Sequence, residues 1–216
     1  MNGELDRGSP VETSTGFVQT DVRDHLMTPD SRAADRWGGI SRTFHWGMVV
    51  LFIVIFPLGL YMADLPISRQ KLKLYALHKS IGLTLLALAA LRLLWRATQH
   101  RPALPPMPAW QRHAATVSHA GLYLLMFLVP LAGWLFNSAA GFPLQWFGWF
   151  NLPALVSANP GLKGLAHELH EFGAWLLVAI VIVHAAAALK HHFFDRDRTL
   201  ALMTPGVKAP DSGAAP

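Results

Sequence analysis

The 216-residue chain contains no cysteine. That excludes structural disulfides, iron–sulfur clusters held by thiolates, and covalent haem attachment through C-x-x-C-H. Charge is also scarce: only 14% of residues are Asp, Glu, Lys or Arg, against roughly a quarter in soluble domains. No Gly-rich nucleotide fingerprint or flavin site is visible, so this chain alone is not expected to oxidise NAD(P)H. No apolar h-region follows Met1, so a cleaved secretory signal is not expected. No internal repeat is apparent. The net charge of +5 does not point to nucleic acid, because the basic residues sit at the ends of apolar segments.

What the chain has in excess is apolar surface and histidine. Hydrophobic residues make up 52% of it and the mean hydropathy is +0.31. Four apolar stretches, about Phe44–Ala63, Leu74–Trp95, Thr116–Phe136 and Leu165–Leu189, are long enough to cross a bilayer, which takes about 20 helical residues. Pro57 and Pro130 fall inside two of them and suggest kinks, because membrane helices tolerate proline when neighbours satisfy the freed carbonyl. The expected fold is all-α, an integral membrane four-helix up-down bundle over residues 41–204. Residues 1–40 read as a disordered cytoplasmic arm and 205–216 as a flexible tail.

Orientation follows from lysine and arginine. Arg23, Arg32, Arg36, Arg42, Arg92, Arg96, Arg101, Arg112, Lys190, Arg196 and Arg198 fall on one side of the four spans, and Arg69, Lys71, Lys73, Lys79 and Lys163 on the other. The excess puts both termini in the cytoplasm. Tryptophans cluster near the span ends as interfacial aromatics do, and "FPLQWFGWF" is expected to rest on the outer membrane surface.

Eleven histidines stand against thirteen carboxylates. His170 and His184 are 14 residues apart, about 21 Å of helix and within about 40° of the same face. On the second span, running the same way, His78 and Arg92 have the same spacing. His45 and His119 enter the antiparallel first and third spans at the inner end, and 14 residues beyond them come Gly59 and Gly133. Two layers result. The outer one holds His78 and His170 beside two glycines that leave room for a ring, and the inner one holds His45, His184, His119 and Arg92. A histidine in a membrane helix often serves as an interhelical hydrogen bonder, but four at matching depths form two facing imidazole pairs. Two non-covalent haems need that arrangement, since iron takes one axial ligand from each side of the macrocycle. Arg92 would pair with a haem propionate. His119 remains open: a competing inner ligand, or a partner for a propionate or a quinone. "HELHE" lacks the H-E-x-x-H spacing of zinc proteases, and Glu168 and Glu171 lie only near the outer end, so other metals fit less well.

"SRTFHWGMVVLF", "LHKSIGLTLLALAALRLLWR", "SHAGLYLLMFLVPLAGW" and "HELHEFGAWLLVAIVIVHAAAALKHHFFDRD" resemble the four helices of the bacterial cytochrome b561 family, over about residues 41 to 204. The long N-terminal arm and outer loop depart from its compact members. The resemblance implies an inner haem b ligated by His45 and His184 and an outer haem b ligated by His78 and His170. It thereby favours His45 over His119 as the inner ligand.

Two six-coordinate haems would carry electrons and leave no position for binding oxygen. The resemblance implies a superoxide:quinone oxidoreductase of the bacterial inner membrane, passing electrons from superoxide outside to ubiquinone. The outer cations Arg69, Lys71, Lys73, Lys79 and Lys163 would steer a small anion, although such residues also commonly contact lipid phosphates. Arg42, Trp46, Arg92 and His119 are the candidate quinone contacts. Two other readings stay open: a haem-bearing membrane anchor of a larger dehydrogenase or hydrogenase, and a redox-silent membrane transporter whose histidines bind a cation.

Overall fold

Each apolar stretch forms one long helix in a computed structural model, which describes residues 37–99, 107–204 and 206–207. Helix α1 spans Gly39–Asp64, α2 Arg69–Thr98, α3 Ala109–Ala139 and α4 Pro160–Phe193. The shortest has 26 residues and the longest 34, against about 20 needed for the hydrocarbon layer, so turns project at the ends. All four are long and apolar enough to cross a membrane. Pro57 and Pro130 lie inside α1 and α3 as expected. The last residues of the expected arm belong to the bundle, since α1 begins at Gly39. Most of the arm and tail lies outside the described residues.

Helix ends are set by local chemistry. Ser68 caps α2 by accepting from the Lys71 N–H, and Asn159 caps α4 by accepting from the Leu162 N–H, with Pro160 at the first helical position. Lys71 Nζ donates to the carbonyls of Ala63 and Leu65 at 3.1 and 2.6 Å, closing the end of α1 where carbonyls lack intrahelical partners.

The interior is thin. Leu125, Val129 and Leu177 form the central apolar cluster, with Phe52, Leu122 and Ile180 packed on it. Gly173 lets α4 approach α3 so closely that a Cβ there would meet Val129 Cγ2 at 2.9 Å. Such close backbone approach at small residues is how helices associate where lipid removes the hydrophobic drive. Outward side chains such as Val50, Ile53, Leu94 and Val183 stay exposed, as lipid-facing positions should.

Two smaller elements were not foreseen. The loop after α3 contains an antiparallel hairpin, β1 (Leu144–Trp146) and β2 (Phe150–Leu152). Its turn puts Phe147 and Gly148 at φ +47° and +76°, a left-handed pair that glycine accepts freely and phenylalanine does not. The loop is pinned to α2 and α3. Phe147 N–H donates to Ser80 Oγ at 3.0 Å, Trp146 Nε1 to Thr84 Oγ1 at 3.1 Å, and Lys79 Nζ to Asn137 Oδ1 and the Pro143 carbonyl at 3.0 and 3.2 Å. Part of "FPLQWFGWF" is therefore packed against a helix, while Trp149 and Phe150 project outward. Near the C-terminus, the short α5 (Thr199–Met203) folds back so that Trp46 Nε1 donates to the Met203 carbonyl at 3.0 Å. Asp197 holds the return by accepting from Thr199 N–H at 2.8 Å and pairing with His191 at 2.6 Å.

Candidate functional site

At one level of the bundle, His78 on α2 and His170 on α4 face each other with ring centroids 6.0 Å apart. Glycines on the other two helices make room for the imidazoles. A Cβ at Gly59 would stand 3.1 Å from His78 Cε1, and one at Gly133 would stand 2.9 Å from His170 Nδ1. His170 Nδ1 lies 2.8 Å from the Val129 carbonyl, one turn before Gly133. His78 stands in the same relation to α1: the Ile55 backbone is one turn before Gly59, although His78 Nδ1 makes no hydrogen bond of good geometry. The hairpins α1–α2 and α3–α4 thus repeat one glycine–histidine contact.

At the other level, His45 on α1 and His184 on α4 have centroids 6.4 Å apart, and His119 on α3 lies 5.4 Å from His184. Arg92 reaches the same end. It donates from Nη1 to the Ser41 carbonyl at 2.9 Å and from Nε to the Tyr123 hydroxyl at 3.2 Å. Between the levels, seven residues from each histidine of its own helix, sits Leu177.

An imidazole nitrogen lies about 2 Å from a first-row metal, and the ring centre about 1 Å further. Two imidazoles on opposite faces of one iron therefore have centroids about 6 Å apart. Both pairs meet that requirement with neutral nitrogen donors and no carboxylate, a set suited to haem iron. The His119–His184 pair is shorter, so distance alone leaves His119 as a neighbour of the same site.

The other predicted residues divide by what they touch. Lys71 is spent on the end of α1, and Lys79 on Asn137 and Pro143. The side chains of Arg69, Lys73 and Lys163 make no hydrogen bond or ion pair among the described residues. Trp46 is engaged with Met203, and Arg42 keeps a buried Nε without a partner. Sequence reasoning passed over Ser41, Trp95, Arg96 and Tyr123, which surround Arg92. A signal existed: Arg96 and Tyr123 each stand one helical turn after a residue already singled out, Arg92 and His119.

Comparison with known proteins gives the family. The profile of the prokaryotic cytochrome b561 family matches residues 36–206. The chain is 38% identical over 181 residues to cytochrome b561 homolog 2 of Escherichia coli (strain K12), covering 83% of this chain and 96% of that protein. To cytochrome b561 homolog 1 of the same organism it is 31% identical over 175 residues, covering 76% and 94%. To the probable superoxide oxidase CybB of Yersinia pestis it is 28% identical over 162 residues, covering 74% and 91%. The chain belongs to the prokaryotic cytochrome b561 family, multi-pass membrane proteins that transfer electrons through haem b.

Proposed function

We propose that the protein carries electrons across the bacterial inner membrane through two haems b, from superoxide at the outer face to ubiquinone in the membrane. The observation that carries this reading is the presence of two imidazole pairs, at 6.0 and 6.4 Å. His78 and His170 would hold the outer haem, and His45 and His184 the inner one. Haem b, when bound, supplies reversible one-electron chemistry, and two imidazoles per iron leave no open coordination position.

The chain's own residues do the rest. The Val129 carbonyl only accepts, so the neutral His170 ring carries its proton on Nδ1 and would be left with Nε2 to hold the haem iron. Leu85, Leu125 and Leu177, all buried, keep water from the space between the levels. Arg92 retains N–H groups beyond the two it spends on Ser41 and Tyr123, and would pair with a propionate of the inner haem. With both termini cytoplasmic, Arg69, Lys73 and Lys163 at the outer ends are uncommitted cations able to attract a small anion. His119, Arg42 and Trp46 stand with Arg92 at the inner end as the quinone contacts. Two superoxide ions release two electrons and two dioxygen molecules; one quinone takes both electrons and two protons. The similarity to a probable superoxide oxidase supports this choice of donor.

The test is an oxidised and dithionite-reduced spectrum of the purified protein with pyridine-haemochrome quantitation, followed by superoxide as reductant and quinone as oxidant. Two b-type haems per chain, reduced by superoxide and reoxidised by quinone, are expected. One haem or none would sink the two-level assignment, and two haems inert to superoxide would sink the donor.

A further inference from the structure

Beyond the histidines, the Arg92 end of the bundle contains a recess lined by Trp37, Ser41, Arg92, Trp95, Arg96, Tyr123 and Met203. Its two guanidinium groups are one helical turn apart on α2. The Arg96 guanidinium lies 5.6 Å from the Trp37 ring centre and 5.5 Å from that of Tyr123. These are cation–π contacts, and they leave its N–H groups unspent. Among the described residues, Arg96 makes no ion pair and its guanidinium no hydrogen bond.

Among the described residues, no carboxylate answers this charge. The acidic residues described are Asp64, Glu168, Glu171, Asp195 and Asp197. The first three belong to the far end of the helices. Asp195 is bound by Lys190 at 2.6 and 2.8 Å, and Asp197 by His191 and Thr199. With Arg92 assigned to a haem propionate, Arg96 is the cation of the recess that awaits an anion from outside these elements.

Depth identifies the anion. Arg92 stands level with the histidines, whereas Arg96 is one turn, about 6 Å, further toward the end of α2. There it shares its level with Trp95 and touches Trp37, indoles of the kind that mark the boundary between hydrocarbon and headgroups. We infer that the recess binds the phosphate of an anionic phospholipid, gripped by the Arg96 fork. Arginine suits this role because its planar fork matches two phosphate oxygens at once, and basic pockets between membrane helices recognise anionic headgroups.

The test is native mass spectrometry of the full-length protein with its haems, titrated with phosphatidylglycerol and with phosphatidylethanolamine of the same acyl chains. The first phosphatidylglycerol is expected to bind about tenfold more tightly or better. Arg96→Gln should abolish that preference, and Arg96→Lys, which keeps the charge without the fork, should lower it part way. Arg96→Lys also serves if the glutamine variant fails to accumulate. Equal binding of the two lipids by the wild-type protein, or an undiminished preference in both variants, overturns the inference. So does an undiminished preference accompanied by a shifted haem potential, which would reassign Arg96 to a haem propionate.

Discussion

His170 Nδ1 lies 2.8 Å from the backbone carbonyl of Val129 on the neighbouring helix. This approach exists because Gly133, one turn on, has no side chain to fill the space. One missing Cβ thus leaves room for the ring beside a carbonyl that only accepts. By sequence spacing Gly133 gives room for a macrocycle; in the structure it is room for the imidazole itself.

Gly133→Ala puts a methyl group 2.9 Å from that nitrogen. Overpacking of this kind costs about 1–3 kcal/mol. The variant should lose the outer haem or hold it with an altered low-spin spectrum, and melt earlier. Gly59→Ala, with its contact at 3.1 Å, should behave similarly but more mildly. Reduced-minus-oxidised spectra and thermal melts read both.

Replacing ligands should separate the two levels. His78→Ala or His170→Ala is expected to leave one haem per chain, as is His45→Ala or His184→Ala, in each case with loss of a different redox component. His119→Ala should keep both haems and shift the potential of the inner one. Pyridine-haemochrome quantitation with potentiometric titration decides. Loss of a haem from His119→Ala, with both retained in His45→Ala, would reverse the assignment of the inner ligand.

The basic residues of the outer end should divide into two classes. Lys71→Met removes the donor that closes α1 and should cost stability, about 1 kcal/mol, with little change in superoxide kinetics. Neutralising Arg69, Lys73 and Lys163 together should slow reduction by superoxide about tenfold and flatten its dependence on ionic strength, the signature of electrostatic steering. Stopped-flow reduction across a salt series measures both effects.

The C-terminal return should respond to acid. Burial alone would raise the Asp197 carboxyl, but hydrogen bonds from Thr199 and His191 outweigh it and hold the group below the usual carboxylate range. A lowered folded-state value means that the stabilisation is full above the ordinary carboxylate range and is lost as pH falls through the lowered value. Hydrogen exchange of Thr199–Met203 should therefore accelerate in acid. Asp197→Asn should show the faster exchange at neutral pH and little further change on acidification.

Much of this protein was legible in the chain alone. Lipid as solvent demands helices of about 20 apolar residues, so four such stretches determined four helices, with Pro57 and Pro130 inside them. A spacing of 14 residues returns a helix nearly to the same face, so the two levels of histidine followed from counting. Tertiary structure decided everything that depends on what a side chain meets on another helix. Lys71 and Lys79 look alike in sequence to Lys73, but only contact with Ala63, Leu65, Asn137 and Pro143 shows them to be committed. The docking of the Leu144–Leu152 hairpin on α2 and of α5 on Trp46 uses hydrogen bonds between residues far apart in sequence, and such bonds leave no period to read. Arg96 is one more arginine at a span end until the rings of Trp37 and Tyr123 are found beside it. Periodicity fixes which face a residue occupies; only packing fixes its partner.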